Sequence, residues 1–219
     1  MSKIKLDCVI IDPILIRVGL EHLSNHQKIR RLVFLSFFTA IIIVQNLVPF
    51  LGYLPIGPLD LTLIHITVIV AAFVLGPVDG AIIGGIWGII TFVRAFIWPT
   101  SPLATIVFIN PLIAILPRVM IGIVAGGIFA LALKKYNKPY RVLPLAAILG
   151  ACCNTLLVLG QIYLFYQGKS QILYHIDAKA LLPYLLTVVG TNGIPEAILA
   201  GIVAPLISVP LIKKWNFHE

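Results

Sequence analysis

Charge is what this sequence has least of. Only 11% of its 219 residues are charged, 60% are hydrophobic, and the mean hydropathy is +1.06. Soluble domains carry about a quarter charged residues and near half apolar ones, so a soluble core of this size could not hide so much apolar surface. Cysteine is scarce too. Cys8, Cys152 and Cys153 lack metal-ligand spacing, and two adjacent cysteines in an apolar run are poorly placed for a disulfide; free, packed thiols are expected. The chain has no phosphate loop of the form glycine, four residues, glycine, lysine, serine or threonine, which excludes ATP hydrolysis by the usual nucleotide-binding machinery. It lacks a paired carboxylate, a metal-spaced histidine cluster and a recognisable nucleophile motif. An inverted repeat of broken helices, common in self-sufficient secondary transporters, is also missing.

What is present is a series of apolar runs long enough to cross about 30 Å of hydrocarbon as helix. The breaks between them predict six spans. The first covers about Leu32 to Phe50 and stops at the Gly52 to Pro58 loop, and the second covers about Leu59 to Leu75. After the Gly76-Pro77 break, the third runs from about Val78 to Ile97 and ends before Pro99 to Pro102. The fourth starts near Thr105 or Asn110 and reaches Leu133, and the fifth covers about Val142 to Tyr166. A polar stretch, Gln167 to Lys179, leads to the sixth, about Leu182 to Ile212. Proline and glycine mark the stops of the first three, a basic loop follows the fourth, and Lys213 and Lys214 close the sixth. The expected fold is therefore an all-α integral membrane protein, a bundle of six transmembrane helices.

The formal charge is +8, but the positive residues sit in short clusters between spans and not along one polar face, so they read as topology signals and not as a nucleic-acid footprint. Lys28, Arg30 and Arg31, the loop with Lys134, Lys135, Lys138 and Arg141, and the C-terminal Lys213 and Lys214 are basic, whereas the loops after spans one and three hold no lysine or arginine. This predicts cytoplasmic N- and C-termini, with Lys169 and Lys179 running against the pattern. Residues 1–30 mix charge with a broken apolar run, unlike a secretory signal. They are expected to form a cytoplasmic or membrane-surface extension ahead of a transmembrane domain over 31–219.

Gly80, Gly84 and Gly88, and Gly122, Gly126 and Ala130, recur at four-residue intervals; such small faces let helix backbones approach closely in lipid. Ser36 and Ala40 form a shorter version on span one. Polar groups at membrane depth each need a partner, a cavity or a solute. They are Gln45, Asn46, His65, Arg94, Asn110, Arg118, Asn154, Gln161, Asn192 and Glu196. At about 1.5 Å per residue, Arg118 lies roughly 24 Å from Lys134 and Glu196 roughly 25 Å from Lys213, which places both at one depth in the outer half. Two readings stand side by side: a structural ion pair, or an outward cavity in which Asn110, Asn192 and Gln161 add hydrogen bonds to a polar solute. Arg94, near the outer end of span three, either snorkels to the headgroups or meets a solute carboxylate through two parallel hydrogen bonds. Trp98 and Tyr53 either cover the site or belong to an interfacial aromatic belt. His65, without a companion ligand, reads as a satisfied buried histidine.

Several stretches together resemble the substrate-binding S components of energy-coupling factor (ECF) vitamin transporters. They are Leu51-Gly52-Tyr53-Leu54-Pro55, His65 with the apolar run to Leu75-Gly76-Pro77, Gly80 to Gly88, Asn110-Pro111, Leu116-Pro117-Arg118 and Gly122. The match spans about Leu32 to Ile212 and is strongest from Asn110 to Gly127. Thr191-Asn192-Gly193 followed by Glu196 makes the chain most similar to the pantothenate branch. The resemblance implies a multi-pass protein of a bacterial cell membrane that captures a vitamin from outside. It implies assembly with a membrane-embedded coupling (T) subunit and two cytoplasmic ATPases that use the ATP, so that this chain binds no cofactor. The family's alanine-x-x-x-alanine docking motif on span one falls on Ser36 and Ala40 here, with serine in place of the first alanine. By position the family's substrate contacts fall on Tyr53, Arg94, Trp98, Asn110, Asn192 and Gln161. Folate, hydroxymethylpyrimidine or pyridoxine would suit similar groups. Readings from other classes are a membrane enzyme using Arg118, Glu196 and His65, which predicts turnover by the isolated protein, and a structural membrane subunit, which predicts no small-molecule ligand.

Overall fold

The computed structural model describes residues 25–48, 51–54, 61–99, 104–166 and 178–215. Cys8 and most of the expected extension over 1–30, the prolines that follow Leu54, the Thr100 to Pro102 stop and the polar stretch after Tyr166 lie outside the described residues. The helices are α1 (Asn25–Leu47), α2 (Ile64–Leu75), α3 (Pro77–Ile97), the short α4 (Ala104–Val107), α5 (Pro111–Lys135), α6 (Leu143–Tyr166), α7 (Ala178–Val188) and α8 (Ile194–Trp215). A 3-10 turn, Pro139–Val142, leads into α6, and a π-helical turn, Val189–Gly193, joins α7 to α8. Two short antiparallel strands, β1 (Tyr53–Leu54) and β2 (Leu61–Thr62), pair Tyr53 with Thr62 and Leu54 with Leu61.

Among the described residues, five helical segments are long and apolar enough to cross a membrane: 27–47, 77–97, 111–135, 139–166 and 182–214. The second expected span is shorter than the apolar run from Leu59 predicted. Leu61 and Thr62 are extended and pair with β1, and the helix begins only at Ile64. The resulting α2 has 12 residues, of which ten are buried. It is enclosed by protein over most of its surface. Gly76, at φ 104°, makes the sharp link from α2 to α3, and Pro77 at the first position of α3 needs no intrahelical donor.

Asn110-Pro111 starts α5: the Asn110 side chain accepts a hydrogen bond from Leu112 N at 3.0 Å, and Pro111 takes the first helical position. The small-residue ladders of α3 and α5 face each other in antiparallel register. A Cβ on Gly84 would strike the Arg118 carbonyl, one on Gly88 the backbone of Ala114 and Ile115, one on Gly122 the backbone of Gly80, and one on Gly126 Pro77. Half of the α5 span window is buried, compared with 17% for α1. α5 is therefore a central helix and α1 a peripheral one that leaves Ile29, Leu32, Val33, Phe37 and Leu47 exposed.

One apolar cluster centres on α2 and includes Ile64, Val68, Ile69, Phe73, Ile83, Trp87, Ile121, Phe129, Leu143 and Ala200; Phe73 and Phe129 meet edge to face at 5.5 Å. A smaller one joins Val107, Ile113, Leu159, Ile162, Leu185 and Val188. The salt bridge among the described residues ties the start of α1 to the start of α3. Arg31 donates to both carboxylate oxygens of Asp79, Nε to Oδ2 at 2.7 Å and to Oδ1 at 3.0 Å, with Nη2 closing the fork. Cys152 and Cys153 are free, half-buried thiols.

Candidate functional site

A cavity of about 110 Å³ lies among β1, β2, α3, α5, α6 and α8, lined by Tyr53, Thr62, Thr91, Arg94, Phe108, Arg118, Asn154, Asn192 and Glu196 among others. A water needs at least 10–15 Å³ measured in this way, so the space suits a small organic molecule. Its walls are built from chain features that sequence alone makes plain only in part. Arg94 comes from the last turn of α3 and Arg118 from the second turn of α5, which the Asn110 cap begins. Asn192 sits in the π turn, where Ile194 N bonds back to Val189 O. The wider turn, with Gly190 and Gly193 on either side of Thr191 and Asn192, leaves Asn192 buried on the cavity side. Such single-turn π segments recur at functional sites.

The two charged residues expected to form an ion pair do not pair directly among the described residues. Arg118, 6% exposed, donates from Nη1 to Ile113 O at 2.6 Å, and its guanidinium carbon lies 4.9 Å from the Phe108 ring centroid and 5.2 Å from that of Trp87. Its Nε is buried without a partner. Glu196, 7% exposed, accepts from Thr62 N at 2.6 Å and so ties β2 to α8. Each ion has a backbone partner, Arg118 within its own helix and Glu196 on β2. What they share is the cavity wall. Opposite charges lining one cavity still lower one another's cost of burial.

Arg94 lies 4.9 Å from the Tyr53 ring and donates from Nε to Trp98 O at 3.3 Å; its Nη1 is buried without a partner. Tyr53 is held in turn, donating to Asn46 Oδ1 at 3.1 Å and receiving Trp87 Nε1 at 3.4 Å. Thr91 is occupied by the Trp87 carbonyl at 3.0 Å. Asn154, 8% exposed at mid-α6, has an unpartnered Oδ1. Burying such an acceptor costs about 1–3 kcal/mol, which a solute donor would recover.

Of the residues singled out from sequence, Tyr53, Arg94 and Asn192 line the cavity together with Arg118 and Glu196. Trp98 is 47% exposed and contributes its carbonyl to Arg94, Asn110 caps α5, and Gln161 is buried on α6 with an unpartnered Oε1; none of these three lines the cavity. Other wall residues carried weaker signals. Asn154 was visible as a polar group at membrane depth, whereas Thr62, Thr91 and Phe108 had none, since threonines and aromatics are ordinary inside spans. His65 is buried with Nε2 at 3.4 Å from Glu196 O, behind the wall. Ser36 and Ala40 are both exposed on α1.

A helical membrane protein that encloses a small charged cavity, and whose ligatable groups are guanidinium, amide, hydroxyl and carboxylate, belongs to the class of membrane solute-binding proteins. The family model "ECF transporter, substrate-specific component" matches residues 30–208, and the chain belongs to that family. It is 35% identical over 199 residues to the pantothenate transporter PanT of Leuconostoc mesenteroides subsp. mesenteroides, covering 87% of this chain and 97% of that one. It is 32% identical over 204 residues to the pantothenic acid transporter PanT of Lactococcus lactis subsp. cremoris, covering 87% and 97%. In fold it is similar to the S-component for biotin from an ECF-type ABC transporter, with a TM-score of 0.50 at 19% identity over 84% of this chain and 94% of that one.

Proposed function

We propose that this chain is the S component for pantothenate of an ECF-type ABC transporter in a bacterial cell membrane. The observation that carries the reading is the charge of the cavity wall. Two guanidiniums, Arg94 and Arg118, face one carboxylate, Glu196, so the wall holds one excess positive charge. In a low-dielectric site that excess is complementary to one anionic group on the solute. Pantothenate is a monoanion with hydroxyl and amide groups, and Asn154, Asn192 and Tyr53 offer donors and acceptors for those. The names of the two curated relatives point to the same solute. Folate, hydroxymethylpyrimidine and pyridoxine are the alternative vitamins, and the last two bring no carboxylate for the excess charge.

In this reading residues 31–219 form the binding domain, both termini face the cytoplasm, and the cavity opens outward. A T subunit and two ATPases supply the coupling and the ATP. The peripheral α1 carries the docking face, since Ser36 and Ala40 are exposed amid apolar side chains. The test is equilibrium binding of labelled pantothenate to the purified protein in detergent, with folate, thiamine, hydroxymethylpyrimidine and pyridoxine as competitors. Saturable binding displaced only by pantothenate is expected. Displacement by another vitamin in preference would overturn the solute, and the absence of binding by any would overturn the function.

A further inference from the structure

The charged residues of the cavity do not stand at one depth. The glycine ladder fixes the register of α3 against α5, with Gly84 level with Arg118 and Gly88 level with Ala114 and Ile115. Arg94 follows Gly84 by ten residues, so its backbone stands about 15 Å further along the bundle. On the other side Gly150 of α6 meets Ala125 of α5, and Gly193 meets Thr155. Asn154 adjoins Thr155, and Glu196 lies three residues past Gly193. On this register Asn154 comes from within about 5 Å of the level of Arg118 and Glu196 from within about 8 Å, further from Arg94 than Arg118 is. The cavity is long, with Arg94 at one end and Arg118, Asn154 and Glu196 at the other.

The two ends differ in chemistry. At the inner end Arg118 is compensated by Glu196, and its guanidinium is covered by Trp87 and Phe108. The groups there include two acceptors, Asn154 Oδ1 and the Glu196 carboxylate, beside one unpartnered donor, Arg118 Nε. A carboxylate only accepts and would face two acceptors, whereas two neighbouring hydroxyls donate one proton to each acceptor and accept from the donor, and so satisfy all three groups. At the outer end Arg94 meets an aromatic face and a carbonyl, and its Nη1 has no partner. The uncompensated positive charge of the wall is there.

We infer that the solute lies along the cavity with its carboxylate at Arg94 and its hydroxyl-bearing end on Asn154, Glu196 and Arg118, and that Asn154 is a residue selecting for hydroxylated solutes. This rests on the reading of the chain as a binder of pantothenate, an elongated molecule with a carboxylate at one end and two hydroxyls at the other. It adds the direction in which that molecule binds.

The test compares pantothenate with pantothenol, whose carboxylate is replaced by a primary alcohol, on wild type, Arg94→Gln, Arg94→Lys, Arg118→Gln and Asn154→Leu in detergent. Each variant is first checked for a monodisperse elution profile. Wild type is expected to prefer pantothenate by roughly ten- to a hundredfold, the value of a charge-assisted pair. In Arg94→Gln that preference should collapse to within about twofold, while Arg94→Lys keeps part of it. Asn154→Leu should weaken both ligands by a similar factor, roughly tenfold, with the preference intact. The inference is overturned if Arg94→Gln weakens both ligands alike, or if Arg118→Gln is the variant that abolishes the preference. Failure of wild type to bind pantothenate would instead remove the functional reading on which the direction depends, and it is read before any variant.

Discussion

Gly84 and Gly85 are adjacent in sequence, lie on the same helix, and have opposite surroundings. A Cβ added at Gly84 would run into the carbonyl of Arg118, which is backbone and cannot turn aside, whereas one at Gly85 would meet only Val119 Cγ2 at 3.6 Å, an ordinary contact. Glycine to alanine within a helix gains about 0.5–1 kcal/mol from reduced backbone freedom. Forcing an extra methyl into a closed contact costs about 1–3 kcal/mol. Gly85→Ala should therefore be neutral to stabilising by up to about 1 kcal/mol, and Gly84→Ala should fall below it by about 2 kcal/mol. Because the added methyl would push on the Arg118 backbone, Gly84→Ala should also weaken solute binding, and Gly85→Ala should not. Equilibrium unfolding in mixed micelles, followed by tryptophan fluorescence with Trp87 near the contact, measures the first effect, and detergent binding assays the second. Equal stability of the two variants, or a more stable Gly84→Ala, would refute the argument that backbone contact between α3 and α5 holds the bundle.

The Arg31–Asp79 pair should respond asymmetrically, because the Asp79 side chain is 6% exposed and that of Arg31 25% exposed. Arg31→Leu leaves a carboxylate buried without its partner and should cost more in unfolding free energy than Asp79→Asn, approaching about 3 kcal/mol, whereas Arg31 without Asp79 can reach toward water. Asn110→Ala should lower stability by about 1 kcal/mol through the lost α5 cap and leave solute affinity unchanged, since Asn110 does not line the cavity; Asn110→Asp should retain the cap, and a loss of affinity in either variant would refute the assignment.

Much of this architecture is legible in the sequence where a single residue has one physical use. Asn110-Pro111 marks a helix start, Gly76-Pro77 a sharp link, and four-residue spacing of glycine a close helix contact. Helix rise also placed Arg118 and Glu196 at one depth. Rise says nothing of the direction in which a side chain leaves the helix, so it leaves an ion pair and a shared cavity wall equally open, and only packing shows Ile113 O and Thr62 N as the partners. Hydropathy scored α2 as a span because it reports how apolar a residue is, and a protein interior and a lipid tail look alike on that scale. The pairing of β1 with β2 uses backbone hydrogen bonds, which leave little trace in two-residue strands. Asn110, Trp98 and Gln161 were grouped with the site on depth and chemistry, and only packing separates a cap, an exposed ring and a buried amide from a cavity wall.

The shortness of α2 has a consequence for permeation. Twelve residues make about 18 Å of helix, against a hydrocarbon layer of about 30 Å. Thr62, which lines the cavity, immediately precedes the start of α2 at Leu63 and Ile64. The depth of protein beyond that wall of the cavity is then set by the length of one enclosed helix, which is shorter than a hydrocarbon layer is thick.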